Sequence, residues 1–115
     1  MTRSRVDDET LLAAVTEPTR RQLLDLLLER GESTATSLAD SLPVTRQAVS
    51  KHLVVLDRAG LVEGRRSGRE LRYAVNLDQL DRATASLADL AAFWDRRLLR
   101  IKRLAETAHA RNTKR

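Results

Sequence analysis

The sequence predicts a mainly α chain with one small β-hairpin, an α+β fold in a single domain. Three observations predict it. Apolar residues recur every three or four positions in five stretches, the period of helices buried on one side. Residues 61–75 instead alternate apolar and charged residues around a Ser-Gly turn, as a hairpin does. Pro18, Gly31, Pro43 and Gly60 stand at the ends of the helical stretches, where such residues start or stop helices. At 115 residues the chain is one domain by length, with a modest core that gains from burying further surface in an oligomer.

The elements follow in order. Residues 1–6 form a basic arm. Residues 8–15 form a short helix with Leu11, Leu12 and Val15 on one side. Thr16, Glu17 and Pro18 start the next helix, since proline lacks only an N–H that the first turn leaves unpaired anyway. Leu23, Leu24, Leu27 and Leu28 face the core, and Gly31 ends that helix. Thr34 caps a third helix, with Leu38 and Leu42 inward, that Pro43 stops. Thr45 caps a fourth, running to about Ala59 before Gly60. Leu61 and Val62 open a strand, Ser67 and Gly68 make a two-residue turn between Arg66 and Arg69, and the return strand points Leu71, Tyr73 and Val75 inward. Residues 77–110 form one long helix without internal glycine or proline.

The formal charge is +5, which favours an anionic partner, and its sign is unevenly spread. Residues 44–72 carry a net +4 and residues 96–115 a net +7, whereas residues 73–95 carry −3. Positive charge thus gathers where a nucleic-acid footprint needs it. The absence of cysteine excludes disulfides, thiol redox sensing and thiolate metal sites. No apolar run approaches the roughly 20 residues that span a bilayer, and the first residues lack the apolar core of a secretory signal. The expectation is a cytoplasmic protein with no membrane partner. Tyr73, Phe93 and Trp94 are the only aromatics, too few for a single-strand stacking platform.

Residues 34–60 therefore read as a helix-turn-helix and residues 61–75 as a wing. On the fourth helix Val49, Leu53 and Leu56 form the core stripe, and Gln47, Ser50, Lys51 and Val54 the opposite face, with Arg46 on its flank. A groove-reading helix needs this pattern, with polar side chains in its first turns able to reach base edges. Gln47 suits adenine, Arg46 or Lys51 suits guanine or phosphate, and Ser50 suits either. Thr45 at the cap belongs to the same surface. A polar helix face is by itself equally a solvated one; the capped helix before it, the Pro43 turn and the basic hairpin after it decide for DNA. His52, at the edge of the core stripe, is expected to be structural. In the wing, Arg65, Arg66, Ser67 and Arg69 are expected to meet the DNA backbone or a narrow minor groove.

On the last helix Leu80, Leu87, Trp94 and Ile101 recur every seven residues, and Leu90 and Leu98 widen the stripe. This apolar face is longer than one such domain needs, so it is expected to be a dimer interface. A twofold dimer sets two reading helices on successive major grooves, about 34 Å apart. The fold class in full is thus a winged helix-turn-helix with long N- and C-terminal dimerisation helices, the latter over residues 77–110. The basic tail is amphipathic but short of large apolar residues, and its role stays open. No nucleophile, base and acid stand in a catalytic pattern and no phosphate loop is present, so no enzyme and no cofactor are expected.

The runs EPTRRQLLDLL, SLADSLPVTRQAVSKHLVVLDRAGLV and GRRSGRELRY resemble the ArsR/SmtB family of winged-helix transcriptional repressors, over about residues 10–105. The resemblance implies a homodimer that represses by binding double-stranded DNA at a pseudo-palindromic operator near its own promoter. Metal-sensing members of that family place a cysteine pair where this chain has STATSLADSL. On the last helix this chain offers Asp78, Asp81, Asp89 and a solitary His109. No metal site is expected, and FWDRRLLRIKRL resembles the C-terminal signature of a subgroup that does not sense metals. The small-molecule effector of that subgroup is often unknown, and the resemblance implies none in particular. The alternative is a winged-helix module that binds another protein through the Leu80 to Leu104 stripe, with DNA incidental.

Overall fold

The structure, a computed structural model, describes residues 6–113. The expected basic arm lies, but for Val6, outside them. The elements are α1 (Asp8–Thr16), α2 (Pro18–Arg30), β1 (Ser33–Thr34), α3 (Ala35–Ala39), α4 (Arg46–Arg58), β2 (Val62–Ser67), β3 (Glu70–Val75) and α5 (Leu77–Thr113). The chain divides into two compact units, one reaching Thr84 and the other starting at Ala85.

In the first unit the caps act where the residue types demand. Asp7, Glu17, Thr34 and Thr45 each accept a backbone N–H from the first turn of the following helix. Of the two long terminal helices expected, the C-terminal one spans 37 residues. The N-terminal one spans nine, because Glu17 leaves helical geometry to cap α2. Gly31 ends α2 at φ 79°, in the left-handed region that glycine enters without steric cost.

α3 stops at Ala39, short of Pro43. The N–H groups of Ser41 and Leu42 bond back to Leu38 and Ala39, the tightened pattern of a closing turn. Pro43 disfavours helical geometry at Leu42, so the helix ends earlier than the apolar spacing predicts. α4 runs as expected, with Val49, Leu53 and Leu56 wholly buried. Leu11, Leu23, Leu38, Leu61 and Val62 are fully buried with them in the core. Leu28 does not join it; it is exposed on the outer side of α2.

The sheet is antiparallel in the order β1-β3-β2. β1 is a third strand that the sequence pattern misses, pairing Ser33 with Tyr73 and Thr34 with Arg72. The hairpin register pairs Ser67 with Glu70, so the turn residues are Gly68 and Arg69, one position later than expected. Gly68 takes φ 63°, and among the described residues only glycines adopt a positive φ. A type II′ turn, with glycine first, requires this and matches the twist of its strands. Gly64 lies opposite Tyr73, and a Cβ there would sit 3.3 Å from the Tyr73 ring and 3.2 Å from Leu71. The expected inward alternation of β3 is weak: Tyr73 and Val75 are half-buried and Leu71 is exposed, because the hairpin extends beyond the core.

Candidate nucleic-acid interface

Along α4 the sequence-selected face points outward. Thr45, Arg46, Gln47 and Lys51 are exposed and Ser50 is half-buried. Thr45 also serves as the cap, its hydroxyl accepting the Ala48 N–H at 3.1 Å. Exposed Val54 continues this face.

The fold brings this helix and the wing to the two sides of one cleft of about 580 Å³. Arg46 and Ser50 line one wall, Arg66, Arg69, Glu70, Leu71 and Tyr73 the other, and Thr34, Ala35 and Thr36 its end. The three residues at the end of the cleft escape a pattern search, because it is the pairing of β1 with β3 that brings Thr34 and the start of α3 there. Gln47 and Lys51 lie with Arg46 and Ser50 around a shallower depression of about 350 Å³. Burial and the nearby Asp57 charge push the Tyr73 phenol above its ordinary pKa of 10.0, so it stays protonated and able to donate a hydrogen bond.

The wing arginines divide by strand parity. Register sets Arg65 beside Arg72 on one face of the hairpin and Arg66 beside Leu71 on the other, which turns toward α4. Arg65 donates to both oxygens of Glu32, at 3.0 and 2.8 Å, and Arg72 donates to Glu70 at 3.0 and 2.8 Å. Arg46, Arg66 and Arg69 make no hydrogen bond or ion pair among the described residues. Arg65 thus stands outside the cleft that the other site arginines share. Ser67 sits on the Arg65 face, next to the turn.

Among the described residues, polar links to Arg20, Glu17 and Gln79 help hold α4 in place, and none is visible in local sequence. Arg20 donates to the last-turn carbonyls of α1, Ala14 at 2.8 Å and Ala13 at 3.0 Å, and lies 3.3 Å from His52 Nδ1 on α4. Glu17 approaches the same His52 nitrogen at 3.7 Å, which gives this histidine the structural role expected of it. Burial raises the Glu17 pKa, but the Arg20 and Thr19 N–H groups and the His52 and Arg20 charges outweigh it and hold the carboxyl below its ordinary 4.5. At the other end, Gln79 in the first turn of α5 donates to the Ala59 carbonyl at 2.8 Å.

In the second unit the residues expected at a dimer interface are largely open to solvent. Leu90, Trp94, Leu98 and Ile101 are between 45% and 58% exposed and Leu87 is half-buried; Leu80, in the first unit, is half-buried too. Trp94 meets the Phe93 ring edge-on at 5.7 Å and carries the Arg97 guanidinium at 5.9 Å. No helix among the described residues is long and apolar enough to cross a membrane.

A short capped helix, a second helix with its polar face outward and a cationic hairpin across a cleft define a winged helix-turn-helix DNA-binding transcriptional regulator. A helix-turn-helix domain model matches residues 15–65. The transcriptional repressor SdpR of Bacillus subtilis is 35% identical over 63 residues, 55% of this chain and 69% of that protein. A probable mercury resistance operon repressor of Streptomyces lividans is 38% identical over 86 residues, 71% of this chain and 68% of that one. Among solved structures, an ArsR-like transcriptional regulator from Rhodococcus sp. RHA1 is 42% identical, covers 85% of this chain and 92% of its own, and superposes with a TM-score of 0.63. The chain belongs to the ArsR family of winged helix-turn-helix transcriptional regulators, and it is not an enzyme.

Proposed function

We propose that the protein is a sequence-specific repressor that binds a pseudo-palindromic operator as a homodimer, without a metal switch. The observation that carries this reading is the shared cleft, in which Arg46 and Ser50 of α4 face Arg66 and Arg69 of the wing. Gln47, Ser50 and Lys51 read base edges in the major groove, Thr45 and Arg46 hold the start of the helix against the backbone, and the wing binds phosphates. The exposed stripe of Leu87, Leu90, Trp94, Leu98 and Ile101, with Leu80, is the surface by which two copies join. Its DNA partner sets its work in the cytoplasm.

The Streptomyces relative is named for mercury resistance, and soft metals select thiolate ligands. This chain has no cysteine and only two histidines. Among the described residues no group of three His, Cys, Asp or Glu stands where it could hold a metal ion.

Footprinting of the purified protein across genomic DNA tests the reading. One preferred, inversely repeated site is expected. Gln47→Ala and Ser50→Ala each lose about 1–3 kcal/mol of discrimination there, roughly 5- to 150-fold against random duplex. Equal affinity for all sequences would refute it, and a monomer by sedimentation would return the apolar stripe to a different protein partner.

A further inference from the structure

The wing carries four arginines, yet only two of them face the cleft without a partner among the described residues. Arg65 and Arg72 stand opposite one another on the face turned away from α4. Like charges so placed repel, and one carboxylate would relieve the repulsion. The structure supplies two, with Glu32 on Arg65 at 2.8 Å and Glu70 on Arg72 at 2.8 Å. That face is left with no net charge from its arginines. Glu70 also borders the cleft, but its charge is matched by Arg72. The cleft therefore keeps the unmatched positive charge of Arg46, Arg66 and Arg69.

We propose that the wing is electrostatically one-sided: a single phosphodiester backbone seats in the cleft between α4 and the wing, held by Arg46, Arg66 and Arg69, while Arg65 and Arg72, matched by Glu32 and Glu70, take no phosphate. The proposal rests on the DNA-binding reading above. Its cleft volume of about 580 Å³ falls within the roughly 300–1,000 Å³ of clefts that enclose ligands. Its polar lining suits a backbone better than an apolar ligand, since Thr36 and the Tyr73 phenol offer neutral donors beside the three cations. Glu32 thereby helps set the register of the wing on DNA, because it removes the charge that would draw the opposite face toward a second strand.

The test is the salt dependence of binding to one duplex, read as the slope of log affinity against log salt. Removing one arginine–phosphate pairing from each of the two heads of the dimer flattens that slope by about 1.8, or about 0.9 per pairing. Arg66→Gln and Arg69→Gln are expected to flatten it by about that amount each. Arg65→Gln, whose carboxylate partner Glu32 does not line the cleft, is expected to leave it unchanged. The double variant Glu32→Gln/Arg65→Gln replaces the ion pair with neutral side chains of similar size, so a changed slope cannot be blamed on an orphaned carboxylate; it too is expected to match the parent. The proposal is overturned if Arg65→Gln or the double variant flattens the slope as Arg66→Gln does, or if Arg66→Gln and Arg69→Gln leave it unchanged. A parent protein with no salt-dependent DNA binding would overturn the DNA-binding reading, and this proposal with it. A steep parent slope with the wrong arginines responding would overturn the sidedness alone.

Discussion

Replacing Arg20 by methionine keeps an unbranched apolar stem and removes the fork that joins α1, α2 and α4. The fork's partners are Ala14 O at 2.8 Å, Ala13 O at 3.0 Å and His52 Nδ1 at 3.3 Å. Hydrogen bonds from a charged donor contribute about 1.5–3 kcal/mol. The Ala13 end of the fork is exposed, so its carbonyl regains water, and the whole side chain is worth about 2 kcal/mol rather than the sum of three bonds. For a domain of this size each kcal/mol moves the midpoint by about 4–8 °C, so thermal unfolding followed by far-ultraviolet circular dichroism should show a fall of roughly 8–16 °C. Arg20→Lys keeps the charge but loses the planar fork that serves two carbonyls and an imidazole together, and should fall about half as far. A drop of less than about 3 °C for Arg20→Met would refute the view that this arginine holds the helices together.

Trp94 is 49% exposed, and a buried tryptophan covers roughly 150–250 Å²; covering the open half in a dimer is worth about 2–3 kcal/mol per protomer at 25 cal/mol/Å². Trp94→Ala should therefore weaken dimerisation about 10³-fold or more, measured by sedimentation. Gly68→Ala should destabilise by about 1–2 kcal/mol through its positive φ alone, since a Cβ there meets nothing within 4 Å. Gly60→Ala should destabilise further by about 0.5–1.5 kcal/mol, because a Cβ there lies 3.2 Å from Gln79 Nε2 and disturbs its bond to Ala59; equal melting points for the two variants would count against a structural role for Gln79. The lowered Glu17 pKa means that its stabilising contribution is present above 4.5, its ordinary value, and is lost as pH falls through the lower folded value. Acid unfolding of Glu17→Gln should lack that component, while its stability at neutral pH is already reduced.

What the sequence determined by itself was whatever local chemistry can specify. A cap, a glycine stop and a 3.6-residue period act within a few residues, so α1, α2, α4 and α5 are legible to within a residue or two at most of their ends. The outward face of α4 is legible because Val49, Leu53 and Leu56 share one side of a helix whatever they pack against. Strand parity was legible as well, yet the turn lay one residue later than Ser67 and Gly68 suggest, since cross-strand register chooses among neighbouring turn positions. Long-range pairing was not legible. β1 has two residues and no period, and exists because Tyr73 and Arg72 offer it an edge. Arg65 and Arg66 are adjacent and chemically identical in sequence; only Glu32, 33 residues away, separates the paired one from the unpaired one. Arg20 and His52 are 32 residues apart and Gln79 and Ala59 are 20 apart, distances over which a sequence pattern has no phase to carry. The tertiary structure alone decided which of the wing's positive charges are matched by a carboxylate, because a charge is matched or left open by whatever the fold brings beside it.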